Sequence, residues 1–121
     1  MPKTILIVED FEDTRVMMRF LLESLGYQVL EAENGWKAVE SVKKQVPDLI
    51  LMDMALPLIN GLTATKIIKQ FSETSKVPII AMTASGQFIY QQAINAGCTD
   101  LVTKPIDINK LQPLIEGYLS K

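Results

Sequence analysis

Residues 49–53 have the sequence LILMD, four apolar residues that lead into the carboxylate of Asp53. Pro47 precedes it, and Pro57 and Gly61 follow it. An apolar run of this length between turn residues is typical of a strand buried on both faces of a parallel sheet. Because Pro57 cannot continue a central strand, we predict that Asp53 lies at the strand's carboxyl end. Open α/β sheets bind their ligands at this edge, although Asp53 taken alone could equally begin a surface loop.

The composition is that of a globular domain and excludes several kinds of site. Hydrophobic residues make up 48% of the 121 residues, which is enough for one domain with its own core. The formal net charge of −2 and the pI of about 5.1 argue against a nucleic-acid-binding surface. The sequence contains no histidine, so imidazole metal sites and histidine acid–base catalysis are excluded.

The cysteine content and the hydropathy pattern indicate where the protein works. The single cysteine, Cys98, cannot form an internal disulfide, which is typical of proteins in a reducing cytoplasm. No signal peptide precedes the first predicted strand, and no apolar stretch reaches the length of a membrane span. We therefore expect a soluble, cytoplasmic protein with no membrane partner.

Apolar runs alternate with amphipathic stretches along the whole chain. Strands are predicted at residues 5–8, 27–32, 49–53, 78–82 and 101–103. Each is followed by a predicted helix, and the second to fourth helices span about 36–45, 62–71 and 87–96. This alternation indicates right-handed βαβ units, and hence an α/β fold with a doubly wound, five-stranded parallel sheet. No linker is visible, so we predict a single domain over residues 1–121 without an output domain.

The first predicted helix ends at Gly26 and has a clear apolar face. Its predicted core stripe has i, i+3, i+4, i+7 spacing and consists of Met18, Leu21, Leu22 and Leu25. The side chains assigned to the solvent-facing side are Arg15, Arg19 and Glu23. Met17 and Phe20 lie beside the stripe and are predicted to extend the core, the alternative being a docking surface for a partner.

The last predicted helix contains Pro113. A proline inside a helix removes one hydrogen bond and clashes with the preceding turn. We therefore predict that Pro113 lies in the first turn of this helix and that residues 107–112 are irregular or 3₁₀ before it.

Functional groups stand at the carboxyl ends of four of the five predicted strands. They are Glu9 and Asp10 after the first strand, Asp53 at the third, Thr83 at the fourth and Lys104 at the fifth. In a parallel sheet these ends lie along one edge, so residues far apart in sequence are expected to converge there. Each residue alone has an ordinary structural interpretation as a cap, turn or surface residue, but the complete set seldom arises by chance.

The residue types in this set favour phosphoryl chemistry. Two carboxylates about 4 Å apart repel by roughly 4 kcal/mol at an effective dielectric constant near 20, so the cluster needs a cation. Ligands that are all oxygen select a hard ion such as Mg²⁺. A carboxylate such as Asp53 can act as a nucleophile and form an aspartyl-phosphate. The ammonium of Lys104 and the hydroxyl of Thr83 would then neutralise the phosphoryl oxygens.

With these residues in place, the chain resembles the receiver domains of two-component response regulators from Ile5 to Leu119. The motifs that carry the resemblance are Val8-Glu9-Asp10, Asp53 with Pro57 and Gly61, Thr83-Ala84, Ala96-Gly97 and Lys104-Pro105. The resemblance implies a flavodoxin-like fold with strand order 2-1-3-4-5.

The resemblance also implies a role for each site residue. Asp53 would accept a phosphoryl group from a histidine kinase or a histidine phosphotransfer protein in a phosphorelay. The implied Mg²⁺ ligands are Glu9, Asp10, Asp53 and the backbone carbonyl of Ala55, and the implied phosphoryl contacts are Thr83 and Lys104. Such a protein is not an enzyme acting on other molecules, although it can catalyse its own phosphorylation from small donors and its own dephosphorylation. It relays the signal through a downstream protein bound at the fourth helix, fifth strand and fifth helix.

One position departs from the family pattern. Three residues before the lysine the family usually has Tyr or Phe, and this sequence has Leu101. The departure puts the usual aromatic switch in doubt but not the phosphorylation. Phe88 and Tyr90 stand where the fourth helix is usually polar, and with Leu101 they indicate an apolar output surface.

Two other functions are compatible with a nucleophilic aspartate. An aspartyl-phosphate phosphatase of the haloacid dehalogenase type also combines Asp, Thr or Ser, and Lys, but it needs a second acid two residues after the nucleophile. Ala55 occupies that place. A receiver-like scaffold that never cycles its phosphate is the other alternative, and the intact set of acids argues against it.

Overall fold

A computed structural model describes residues 2–120 and shows strands and helices in strict alternation. The strands are β1 (Thr4–Val8), β2 (Gln28–Ala32), β3 (Leu49–Asp53), β4 (Ile79–Thr83) and β5 (Asp100–Thr103). The helices are α1 (Glu12–Ser24), α2 (Gly35–Lys44), α3 (Gly61–Gln70), α4 (Gly86–Ala96) and α5 (Ile108–Leu119). In residues 2–120 no helix combines the length and the apolar character that a membrane crossing requires.

The strands form one parallel sheet in the order β2-β1-β3-β4-β5, as predicted. Every residue of β1, β3 and β4 is buried, because helices cover both faces of the sheet at its centre. β2 lies at one edge of the sheet and is less covered: Gln28 and Glu31 are exposed, and only Ala32 is fully buried. The continuous apolar run at 49–53 therefore forms the central strand of the sheet.

Side chains of the central strands point alternately into two separate cores. Leu6 and Val8 of β1 point to the side that α2, α3 and α4 cover. Ile5 and Ile7 point to the other side, which α1 and α5 cover. This division places three helices on one face and two on the other, as a doubly wound sheet requires.

α1 contacts the sheet through a narrower face than its sequence predicted. Met18 and Leu22 are buried, but Met17 is 55% exposed and Phe20 62% exposed, so the prediction that these two extend the core is wrong. Two residues assigned to the core stripe, Leu21 and Leu25, are also exposed. The physical reason is that α5 covers the same face of the sheet, which leaves α1 space for only one row of buried side chains.

α5 contains Pro113 well inside the helix, and the predicted irregular segment is wrong. The helix begins at Ile108, where the side chain of Asp107 accepts a hydrogen bond from the backbone N–H of Asn109 at 2.9 Å. An interior proline costs about 3 kcal/mol. Burial of Leu111 and Ile115 offsets this cost, since each fully buried side chain contributes roughly 1.5–3 kcal/mol.

α3 begins so close to the end of β3 that its first residue must be glycine. A Cβ at Gly61 would overlap the carbonyl oxygen of Asp53 and lie 2.8 Å from the Cα of Met54. We expect Gly61→Ala to lower the free energy of unfolding by about 1–3 kcal/mol, because backbone must move to admit the methyl group. Gly117→Ala in α5 is the control, since open space surrounds that position and alanine favours the helix. Urea unfolding that shows equal stabilities for Gly61→Ala and wild type would contradict this close approach.

Candidate functional site

The carboxyl ends of β1 and β3 bring three acids together. β1 and β3 are neighbours in the sheet, so Glu9, one residue past β1, stands beside Asp53, the last residue of β3. One carboxylate oxygen from each of Glu9, Asp10 and Asp53 lies within 4.8 Å of the other two. Glu9 is 1% exposed and Asp53 2%, whereas Asp10 is exposed to solvent. The acids predicted from the strand ends thus form one cluster at the edge of the sheet.

Lys104 supplies the positive charge of this cluster. Its Nζ donates hydrogen bonds to Oε1 of Glu9 at 2.7 Å and to Oδ2 of Asp53 at 3.0 Å. The backbone N–H of Lys104 donates to the carbonyl oxygen of Thr83 at 2.8 Å, so the end of β5 is anchored to the end of β4. From this anchor the long side chain crosses to the acids on β3 and β1. One ammonium thereby bridges two buried carboxylates.

Backbone amides orient both buried acids. Oδ1 of Asp53 accepts a hydrogen bond from the backbone N–H of Ala55 at 2.9 Å. Oε2 of Glu9 accepts one from the backbone N–H of Phe11 at 3.2 Å. Each carboxylate is therefore held by Lys104 on one oxygen and by its own loop on the other. The loop after Asp53 contains Ala55, whose carbonyl oxygen was predicted to be a metal ligand.

Thr83 ends β4 beside the acids, and it is buried. Its hydroxyl oxygen accepts a hydrogen bond from the backbone N–H of Ser85 at 3.0 Å, which holds the hydroxyl within the loop between β4 and α4. A hydroxyl also has one proton to donate, and the bond from Ser85 does not use it. Thr83 therefore stands at the predicted edge of the sheet with a donor left for a further acceptor.

The site shifts the pKa of two of its members. Burial raises the pKa of Glu9 from its ordinary value of 4.5 to about 7; the hydrogen bond from Lys104 opposes this rise, and the nearby Asp53 adds to it. Burial lowers the pKa of Lys104, but the hydrogen bonds to Glu9 and Asp53 and their charges outweigh that effect and raise it overall. Lys104 therefore stays protonated at neutral pH, whereas Glu9 gains or loses its proton as the pH passes through about 7.

The raised pKa of Glu9 predicts how stability depends on pH without Mg²⁺. Between pH 4.5 and about 7 the folded protein holds a proton on Glu9 that the unfolded chain has released. The proton on Glu9 therefore adds to the free energy of unfolding, and this stabilisation is fully present below pH 4.5 and is lost as the pH rises through about 7. We therefore expect the free energy of unfolding in EDTA to fall over this range in wild type and to fall less in Glu9→Gln. Glu12→Gln, at an exposed acid, is the control; equal slopes in all three proteins would contradict the expectation.

Arg15 belongs to the surroundings of the site, and the sequence interpretation missed it. Its side chain was assigned to the solvent-facing side of α1, but only 14% of it is exposed. Nη1 donates to the backbone carbonyl oxygen of Glu9 at 3.0 Å, and Nε donates to Oε1 of Glu31 at 3.0 Å. The only sequence signal is an arginine one turn into the helix that follows the acids, which does not by itself reveal either partner.

The chain is similar to known response regulators in sequence and in structure. Residues 5–116 match the family model for the response regulator receiver domain. The polar-differentiation response regulator DivK of Brucella anthropi is 38% identical over 120 residues, which is 98% of both chains. A putative response regulator from Chloroflexus aurantiacus is 31% identical, with a TM-score of 0.94 and complete coverage of both chains.

A second similar structure contains a metal. The receiver domain of the sensor histidine kinase PA1611 from Pseudomonas aeruginosa PAO1 is 34% identical, with a TM-score of 0.93 and complete coverage of both chains. Its structure has a magnesium ion coordinated in the active site cleft. None of these similarities favours the phosphatase alternative. Because the family model covers most of the chain and these relatives match it from end to end, the chain belongs to the response regulator receiver domain family.

Proposed function

We propose that this receiver domain accepts a phosphoryl group on Asp53 and relays the signal through protein contacts. Histidine kinases are the general partners of response regulators, and either such a kinase or a histidine phosphotransfer protein is the proposed donor. The observation that carries the proposal is the position of Asp53. Its buried carboxylate ends the central strand, beside Glu9 and Asp10 and within 3.0 Å of the ammonium of Lys104.

The proposed transfer uses groups that already stand around Asp53. A carboxylate oxygen of Asp53 attacks the phosphorus, the bond between phosphorus and the donor's imidazole nitrogen breaks, and that nitrogen keeps the electron pair. The ammonium of Lys104 balances the negative charge of the phosphoryl oxygens, and the hydroxyl of Thr83 donates a hydrogen bond to one of them. Ala84 is small and exposed, so it leaves the donor a free approach.

The acids fit a bound Mg²⁺. Three carboxylates whose oxygens lie within 4.8 Å of one another offer the hard oxygen ligands that this ion prefers. We propose that Glu9, Asp10 and Asp53 hold it together with the backbone carbonyl of Ala55. When bound, Mg²⁺ supplies positive charge that offsets the repulsion among the acids and the charge of the phosphoryl oxygens. The magnesium-containing receiver domain of PA1611 supports this assignment.

Mg²⁺ should therefore stabilise the folded protein. A ligand that binds only the native state raises the melting temperature, and the shift grows with ligand concentration. We expect Asp10→Asn to abolish most of this shift, and because Asp10 is exposed the variant should still fold. Asp13→Asn is the control, since Asp13 is a nearby exposed acid in the first turn of α1. A thermal shift of equal size in Asp10→Asn and wild type would show that these acids do not form the metal site.

Incubation with acetyl phosphate and Mg²⁺ separates the proposed function from its alternatives. A receiver domain that phosphorylates itself from small donors and dephosphorylates itself slowly should accumulate an acyl-phosphate, which intact-mass measurement detects. Steady release of inorganic phosphate without accumulation would instead indicate a phosphatase. No reaction would indicate a scaffold that does not cycle.

The surface of α4, β5 and α5 is the proposed site for a downstream protein. Phe88 is 78% exposed and Tyr90 52% exposed on α4, and Leu101 of β5 is partly buried against the core. Leu101 is smaller than the usual aromatic residue and has no hydroxyl, so we propose a weaker conformational change here on phosphorylation. That the protein binds no nucleic acid stays a prediction from its net charge. That it is cytoplasmic stays a prediction from its single cysteine, Cys98.

A further inference from the structure

We infer that Arg15 is a positioning residue that holds the loop carrying the metal-binding acids Glu9 and Asp10. The inference rests on the proposed function of these acids. Arg15 donates no hydrogen bond to a carboxylate of the cluster; it binds the backbone between Glu9 and Asp10. Its Nη1 donates to the carbonyl oxygen of Glu9, and the peptide unit of that carbonyl leads directly into Asp10.

The loop needs this contact because the strand ladder ends at Glu9. The backbone N–H of Glu9 still donates to the carbonyl oxygen of Ala32 in β2 at 3.1 Å. β1 itself stops at Val8, so the carbonyl of Glu9 lies beyond the paired part of the strand. Arg15 satisfies that carbonyl and so fixes the peptide plane from which Asp10 extends. Asp10 is the exposed member of the cluster, and its position depends most on the loop.

Glu31 in turn fixes Arg15. Glu31 lies in β2 opposite Ile7 of β1, and its Oε1 accepts from Nε of Arg15 at 3.0 Å. The planar guanidinium reaches the carboxylate and the carbonyl at the same time, which a lysine cannot do with the same geometry. The other oxygen of Glu31, Oε2, accepts from Nη1 of Arg19 at 2.7 Å. Arg19 also pairs with Glu23 along α1, so both of its ion pairs lie away from the loop.

The two arginines therefore form a matched pair for experiment. Each binds Glu31, and each carries one positive charge, but Arg15 alone of the two binds the carbonyl of Glu9. For the replacement of Arg15, electrostatics and positioning predict changes in Mg²⁺ affinity of opposite sign. Removing a positive charge near a cation site should strengthen Mg²⁺ binding slightly, whichever of the two arginines is replaced. Releasing the loop should weaken binding, and only when Arg15 is replaced.

The test is calorimetric titration of the full chain with Mg²⁺, without phosphodonor. We expect the Kd for Mg²⁺ to rise about tenfold in Arg15→Gln, which is the usual size of effect for a residue that orients metal ligands. In Arg19→Gln the Kd should be unchanged or slightly lower. Amide NMR shifts of Asp10 and Phe11 in the metal-free protein should change in Arg15→Gln and stay near wild-type values in Arg19→Gln.

Glu31 allows the same test from the other end. Glu31→Gln and Glu31→Ala remove the same charge, but only the glutamine keeps an oxygen that can accept from Arg15. We expect the alanine variant to bind Mg²⁺ more weakly than the glutamine variant, a comparison that stands even if Arg15→Gln does not fold. If wild type binds Mg²⁺ and Arg15→Gln binds it equally or more tightly, this inference alone is overturned. Equal binding by the two Glu31 variants would overturn it as well. Failure of wild type to bind Mg²⁺ would overturn the proposed metal site as well.

Discussion

Asp53→Asn is expected to abolish phosphorylation of this protein by small phosphodonors. The amide of asparagine carries no negative charge and is a poor nucleophile, although its shape is almost the same as that of the carboxylate. The rate should fall about 10⁴-fold or more, as it does in enzymes that lose their nucleophile. Intact-mass measurement after treatment with acetyl phosphate and Mg²⁺ should show one added phosphoryl group in wild type and none in Asp53→Asn.

Folding of the variant is not expected to limit this experiment. The asparagine oxygen can still accept the hydrogen bond from the backbone N–H of Ala55. Lys104 loses Asp53 as an ion-pair partner but keeps Glu9, and the substitution also removes one of the mutually repelling charges. Asp13→Asn is the control, because it removes an exposed acid in α1 and should leave labelling unchanged. Labelling of Asp53→Asn to the wild-type extent would show that another residue is the acceptor.

Lys104→Met should destabilise the protein strongly in the absence of Mg²⁺. Lys104 is the shared ion-pair partner of two acids, and less than a twentieth of either acid side chain is exposed. Removing one partner of a buried ion pair costs about 3–5 kcal/mol, because a buried charge is left uncompensated. We expect a loss near the lower end of this range at pH 8 in EDTA, measured by urea unfolding, because Lys104 is partly exposed.

The pH and metal dependence of this loss test its electrostatic origin. Below pH 7 Glu9 is protonated in the folded protein, so less negative charge remains for Lys104 to balance, and the loss should shrink. Added Mg²⁺ should reduce the loss as well, because it supplies the missing positive charge. Lys110→Met, at an exposed lysine of α5, should change stability little under any of these conditions. A loss from Lys104→Met that is the same at pH 5.5 and pH 8 would point to lost packing instead of lost charge.

The fold and the grouping of polar residues at one edge of the sheet could be predicted from the sequence alone. Central parallel strands are buried on both faces, so their sequences are continuous apolar runs, such as the run that leads to Asp53 in residues 49–53. Their carboxyl ends share one edge of the sheet, so the acids, Thr83 and Lys104 could be placed together without a structure. The glycine at 97 ends α4 in the left-handed conformation, as its position after Ala96 indicates.

Which helix positions are buried depends on contacts between elements that are distant in the chain. The apolar residues of α1 look alike in sequence, but α5 covers the same face of the sheet and excludes Met17 and Phe20 from the core. Pro113 stays inside α5 because Leu111 and Ile115 are buried against the sheet, a gain that no local rule includes. Helical periodicity identifies a face, whereas the width of the buried part depends on the neighbouring helix.

The contacts that balance the charge of the acids and orient their loop are likewise visible only in the folded protein. Sequence alone placed Lys104 at the edge of the sheet, but only the crossing of its side chain over the end of β4 shows that one ammonium bridges Glu9 and Asp53. The contacts of Arg15 with the carbonyl of Glu9 and with Glu31 join three elements that are distant in the chain. Hydrogen bonds of this kind depend on where side chains end in space, and that position follows from packing of the whole sheet and not from any local pattern.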